Sequence, residues 1–194
     1  MENNEIEVKI FDINPEQIKK KLEALGAKKT GESHVEVVMF DFPDHRITKN
    51  DEVLRVRKMH GKTEFVYKAQ FDGKKKGKSD FKALKEYETT VESFDAVVAI
   101  LKKLGLEVIR RFEKKRTSYL VSKDGKNVKV EIDTIPGVPT YLEVEANDEA
   151  AVRWGVQLLG FTMEQTSNKG IHEMWEKYYK GKTEVYFKDY PNKN

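Results

Sequence analysis

Acidic and basic residues stand two apart in run after run of this chain. Glu5, Glu7 and Lys9 alternate with Ile6, Val8 and Ile10; Arg55 and Arg57 alternate with Leu54 and Val56. Glu86 and Glu88 flank Tyr87, Lys114 and Arg116 flank Lys115, Glu143 and Glu145 flank Val144, and Lys129, Glu131 and Asp133 continue the pattern. Lys68 closes the run Glu64-Phe65-Val66-Tyr67-Lys68. Successive side chains of a strand point to opposite faces, so each run gathers its charges on one face. Carboxylates from several strands, with no cysteine and no ligand-spaced set among the four histidines (His34, His45, His60, His172), suit hard divalent cations such as Mg²⁺ or Mn²⁺. Lysines and arginines on the same face suit phosphate oxygens, Arg55 and Arg57 through bidentate forks. Acids for a metal beside bases for phosphates describe a polyphosphate site, where charge developing in phosphoryl or nucleotidyl transfer can be stabilised. No glycine-rich GxxxxGK loop and no Ser-His-Asp arrangement offers a different chemistry.

The elements that must carry these residues follow from periodicity and punctuation. Strands are expected near 3–12, 34–42, 52–59, 63–71, 82–91, 113–122, 126–135 and 140–147, several joined by short turns such as His60-Gly61-Lys62 and Lys123-Asp124-Gly125-Lys126. A first helix opens at Asn14-Pro15, carries Ile18, Leu22 and Leu25, and stops at Gly26. A second is capped by Ser93, carries Val97, Ile100, Leu101 and Leu104, and stops at Gly105; a third runs from Asp148 to Gly160. Glu86, Ser93 and Gly105 each lie 79 residues after Glu7, Asn14 and Gly26, which points to pseudo-symmetric halves. A last helix is expected over about 168–180, with Ile171, Met174, Trp175 and Tyr178 on one face, and the tail from Gly181 could add an edge strand. Both tryptophans, Trp154 and Trp175, read as packing residues before base-stacking ones, and Asp72-Gly73-Lys74-Lys75-Lys76-Gly77-Lys78-Ser79 as a solvated loop before a basic lid.

An open sheet would dilute its solvent face with Thr, Ser and Gln, whereas here both signs of long charged side chain are interleaved. The pattern favours a closed barrel of about eight strands with a charged lumen and helices outside. Alternating signs, or a bound metal and polyanion, offset the desolvation cost. At 194 residues one domain is expected, over 1–180, with residues 181–194 as a C-terminal tail. Lys+Arg 36 against Asp+Glu 33 is too balanced for a dedicated nucleic-acid partner. The absence of cysteine excludes disulfides and thiolate metals, and no apolar run is long enough for a membrane helix, so a cytoplasmic location is the expectation.

The ordered set Glu5-x-Glu7-x-Lys9, Leu54-Arg55-Val56-Arg57, Tyr67-Lys68, Glu86-x-Glu88, Lys114-x-Arg116, Asp133 and Glu143-x-Glu145 resembles the CYTH superfamily, the triphosphate tunnel metalloenzymes that include class IV adenylyl cyclases and thiamine triphosphatases. The resemblance runs from residue 5 to about 175. It implies an α+β fold, an eight-stranded antiparallel closed β-barrel, that binds a triphosphate with Mg²⁺ or Mn²⁺. Carried over position by position, Glu143, Glu145, Asp133, Glu5 and Glu7 would serve the metal. Lys9, Arg55, Arg57, Lys68, Lys114 and Arg116 would hold phosphates. Lys9, Glu86 and Glu88 would be catalytic. Lys129 and Glu131 are lumen residues by periodicity, and Lys169 is a more distant phosphate candidate. The chain departs from the family pattern at Thr134-Ile135-Pro136-Gly137-Val138-Pro139-Thr140 and at Met39-Phe40-Asp41, where an aromatic pair before the aspartate is usual.

Two chemistries share these residues: cyclisation of ATP to cyclic AMP and pyrophosphate, the leading expectation, and hydrolysis of inorganic triphosphate, thiamine triphosphate or a nucleoside triphosphate. Binding of polyphosphate without turnover is a third. A small-molecule triphosphate is the expected partner, with no nucleic acid or membrane; the assembly state is left open, a homodimer among the options.

Overall fold

The computed structural model describes residues 2–70 and 80–191, with side chains from Ile6 onward. The basic run 72–79 and the Glu5 side chain lie outside the described residues. Eight strands form the barrel: β1 Glu2–Ile10, β2 Lys28–Asp41, β3 Val53–Met59, β4 Lys62–Ala69, β5 Lys82–Val91, β6 Glu107–Lys123, β7 Lys126–Thr134 and β8 Tyr141–Ala146. Their order is β2-β3-β4-β5-β1-β8-β7-β6, and β2 pairs again with β6 to close the ring. All these pairings are antiparallel. A closed ring leaves none of the eight strands an unpaired edge along its whole length.

Helices α1 Pro15–Ala24, α3 Phe94–Lys103 and α4 Glu149–Leu158 begin where the caps place them. The side chains of Asn14, Ser93 and Asp148 accept from first-turn amides. Gly26, Gly105 and Gly160 end them at φ of 71°, 91° and 81°, a left-handed region glycine enters without a Cβ penalty. At Gly155 a Cβ would stand 3.0–3.2 Å from Val144 and Val128, so the missing side chain lets α4 lie close on β7 and β8.

The repeat seen in the sequence is a repeat of structure. α1 and α3 start 79 residues apart, as do β2 and β6. Glu5 pairs with Leu84, and Val35 with Lys114, each with the residue 79 positions on. A pseudo-two-fold axis therefore passes through both strand pairs.

Outward-facing strand residues pack under the helices in two clusters. One joins Val8, Ile10, Val130 and Leu142 to Ile18 and Leu22 of α1 and Val152 and Val156 of α4. The other joins Val38, Phe40, Leu54 and Val56 to Phe94 and Leu101 of α3. Each such side chain contributes roughly 1.5–3 kcal/mol on burial. The structure adds elements that periodicity does not reveal. α2, Arg46–Lys49, is a single turn whose approach is tied by Asp41, which accepts from the amides of Phe42, Ile47 and Thr48. β2 and β6 each begin about six residues before their alternating core. The expected last helix is present as α5, Ile171–Tyr178, and the tail supplies an edge strand, β9 Glu184–Val185, parallel to β6 at Arg111–Phe112. α5 closes one end of the barrel: Met174, Trp175 and Tyr179 pack on the inward-facing Val35, Val37, Met39, Val53 and Phe112.

Candidate active site

The barrel encloses a cavity of about 370 Å³. Eight cations from six strands line it: Lys9, Arg55, Arg57, Lys68, Lys82, Lys114, Arg116 and Lys129. Six carboxylates join them: Glu7, Glu64, Glu86, Glu88, Glu143 and Glu145. Glu131 and Asp133 are buried, and both pair with Arg116. The strand period does this, because β1, β3, β5, β6, β7 and β8 each turn every second residue inward. Register decides which acid meets which base.

On β6, β7 and β8 the pairs are tight. Asp133 accepts from Arg116 Nε at 2.7 Å, Arg116 Nη2 at 2.5 Å, Lys114 Nζ at 2.7 Å and the Tyr141 hydroxyl at 3.3 Å. Arg116 also reaches Glu143 at 2.5 Å and pairs with Glu131, which accepts from Ser118 at 3.1 Å. Lys129 bridges Glu131 at 3.1 Å and Glu145 at 3.2 Å. On β1, Lys9 donates to Glu7 at 2.8 Å and pairs with Glu143 at 3.2 Å. Lys82 reaches the same Glu7 oxygen from β5 at 2.8 Å. Across the lumen the contacts lengthen: Arg55–Glu86 3.7 Å, Lys68–Glu86 3.6 Å and Arg57–Glu88 3.4 Å, with Arg57 also pairing with Glu64.

These contacts set the protonation states. Burial alone would raise the pKa of Glu7, but Lys82 and Lys9 hold its carboxyl well below the usual carboxylate range. Burial likewise opposes the ionised forms of Glu143 and Asp133, and their cationic neighbours, Lys9 for the first and Arg116 for both, prevail. Lys9 is held charged by Glu7 and Glu143 against burial. Lys114 goes the other way: burial first, then the Arg116 guanidinium, bring its ammonium down to about 8 despite Asp133. Burial and the nearby Asp133 and Glu143 charges keep the Tyr141 hydroxyl protonated.

The structure thus brings together on one cavity every candidate above with a described side chain, apart from Glu131 and Asp133, both buried against Arg116 behind the lining, and Lys169, which is exposed and off it. Lys82 and Tyr141 escape sequence reasoning. Lys82 shares the parity of Glu86 and Glu88, the only signal that marked it. Both tryptophans are committed to packing: Trp175 is buried with its Nε1 donating to the Lys182 carbonyl at 2.6 Å, and Trp154 lies beneath Lys126 against the α4 cluster. The donor set for a metal is all hard oxygen. Among the described residues no three such side chains converge closely enough to hold an ion by themselves. That fits a cation such as Mg²⁺, which takes one or two carboxylates and completes its shell from substrate phosphates and water.

A family model for the CYTH domain matches residues 3–171. The chain belongs to the CYTH family. Its members are cyclase-like enzymes or triphosphatases. Among solved structures, a protein of Pyrococcus horikoshii is 29% identical, with a TM-score of 0.69 over 87% of this chain and 98% of its own. A candidate adenylate cyclase of Vibrio parahaemolyticus is 17% identical, with a TM-score of 0.71 over 90% of this chain and 98% of its own. A Hippeastrum protein, a candidate adenylyl cyclase with a dominant triphosphatase activity, is 16% identical, with a TM-score of 0.61 over 89% and 94%. At those last two identities the likeness is one of CYTH fold. No curated protein matches the chain in sequence. No helix among the described residues is long and apolar enough to cross a membrane.

Proposed function

We propose that this CYTH tunnel is a divalent-metal-dependent triphosphatase. The carrying observation is the ring of eight cations from six strands around a cavity of about 370 Å³, a size and charge suited to a short polyphosphate. Arg55, Arg57, Lys68, Lys82, Lys114 and Arg116 hold the phosphate oxygens, with Lys9 beside them. Glu143 and Glu145, with Glu7, would hold Mg²⁺ or Mn²⁺, which would neutralise phosphate charge. Asp133 already accepts four donors, so its role is to orient Arg116 and Lys114. Glu86 and Glu88 position the attacking water and take its proton; the water oxygen bonds to the terminal phosphorus, the bond to the bridging oxygen breaks, and the diphosphate portion leaves. Such chemistry is mostly positioning and charge stabilisation, which a preformed ion network supplies.

A second reading, ATP cyclisation, has one feature in its favour: the α5 end of the cavity is apolar, lined by Val37, Met39, Phe112, Ile135 and Met174. A flat base would fit such a surface, although neither tryptophan is free to stack on it. Product analysis separates the two. The protein with Mg²⁺ or Mn²⁺ is given inorganic triphosphate, thiamine triphosphate and ATP, and products are followed by phosphorus NMR. Orthophosphate is the expected product, and cyclic AMP with pyrophosphate from ATP would replace this reading with the cyclase. Glu143→Gln and Glu145→Gln should each lower turnover by about 100-fold or more with an unchanged circular dichroism spectrum. Near-wild-type rates in both would remove the metal assignment.

A further inference from the structure

α1 and α3 are the same element in the two halves of one repeat, yet their outer faces differ. Gln17, Lys20, Lys21 and Leu25 of α1 correspond, 79 residues on, to Ala96, Ala99, Ile100 and Leu104 of α3. On α1 the first two are exposed and polar, and Leu25 is partly buried in a cluster shared with Val152, Val156 and Leu159 of α4 and its cap. On α3 the apolar counterparts stay in water: Ile100 is 55% and Leu104 69% exposed, beside exposed Ala96 and Ala99. The cluster beneath α3 has only Ile47 of the four-residue α2 as helical company among the described residues. α1 has a helix alongside; α3 presents the same kind of flank without one.

The charges on α3 say what fits there. Asp95 lies in its first turn, and Lys102 and Lys103 in its last. These charges suit the helix's own dipole. In an antiparallel pair of identical helices they also meet their opposites at both ends, the self-complementarity that a two-fold interface requires. The small residues Ala96 and Ala99 leave room for a large side chain from a facing helix.

We propose that the chain associates with a second copy of itself through α3, the two helices antiparallel across a two-fold axis. Ile100 packs over the partner's Ala96 and Ala99, and Asp95 faces the partner's Lys103. A patch of one helix face is small, so the association belongs to the weak class, with a Kd on the order of 10 µM.

Sedimentation equilibrium of the full chain, up to about 300 µM, tests this. The expected result is a mass rising with concentration from 22.5 kDa toward twice that value. Ile100→Glu with Leu104→Glu, both at exposed positions, should raise Kd by about 100-fold with an unchanged circular dichroism spectrum. Asp95→Lys should weaken association by about 10-fold, and adding Lys103→Asp to the same chain should restore it. Lys20→Glu on α1 should change nothing. A chain that stays monomeric throughout overturns the proposal and leaves the α3 face bare or to a different partner. A dimer indifferent to the α3 substitutions overturns it equally.

Discussion

The two halves of the barrel share a backbone and differ in what they turn inward. On β6, Lys114 and Arg116 project into the lumen; 79 residues earlier, on β2, Val35 and Val37 occupy the same places. At these positions β6 feeds the ion network around Arg116, and β2 meets Met174, Trp175 and Tyr179 at the closing helix. Two strands related by the repeat have been filled there once for charge and once for packing. A second contrast sits within the charged region: the pairs on β6, β7 and β8 lie at 2.5–2.7 Å around Arg116 and Asp133, whereas Arg55 and Lys68 stand 3.7 and 3.6 Å from Glu86. The first set is held in place by its own partners before any ligand arrives. The second meets Glu86 at longer range, and an incoming phosphate can compete with that carboxylate.

The strongest test of that difference is Arg116→Ala. It leaves Asp133, Glu131 and Glu143 short of the cation they share, with only Lys114, Lys129 and Lys9 to offset their buried charges, and should cost about 3–5 kcal/mol in urea unfolding. Met174→Ala probes the packed half and should cost about 2–4 kcal/mol by opening a cavity under α5. Triphosphate affinity, read by calorimetry, should there stay within about threefold of wild type, since no phosphate ligand is touched. Arg55→Ala and Lys68→Ala should show the reverse: about 10- to 100-fold weaker triphosphate binding with unfolding free energies within about 1 kcal/mol of wild type. If either of these destabilised the fold as much as Arg116→Ala, the contrast between the two sets would fail. The smallest effect concerns Lys114: burial and the Arg116 guanidinium bring its ammonium down from the ordinary lysine value of 10.5 to about 8. Its positive charge is lost as pH rises through about 8, so triphosphate binding to the protein should weaken by a few-fold there. The group's own contribution to stability has the opposite sense: the unfolded state holds the proton to higher pH, so stability rises with pH between about 8 and 10.5. Lys114→Arg should flatten the binding step, because a guanidinium stays charged.

Much of this was legible because strand alternation and helix caps are local signals. Glu7, Lys9, Arg55, Arg57 and Arg116 could be placed on a common face by counting in twos, and Asn14, Ser93 and Asp148 mark helix starts. What needs register was not legible. Nothing in the spacing says that Arg116 reaches across to Glu143 while Lys9 reaches the same carboxylate from the other side. Lys82 went unnoticed because its nearest partner, Glu7, lies 75 residues away. The amphipathic face of α5 announced an apolar partner but not that the partner was the barrel's interior. α2 is too short for periodicity to show.

The ring order carries a consequence for how the chain comes into being. β1, the first of the eight barrel strands in chain order, is flanked by β5 and β8, so its neighbours begin at Lys82 and Tyr141. β3 and β4 can zip onto one another as soon as they emerge, but β1 leaves the ribosome with both sides unsatisfied and waits for most of the polypeptide. Closure by such distant partners costs loop entropy before it returns any contact energy, which puts folding in the slow class of high contact order. Glu7 and Lys9 of β1 therefore reach the cavity only at the final sealing of the seam, and a nascent or truncated chain that stops short of β8 exposes a bare strand edge open to aggregation.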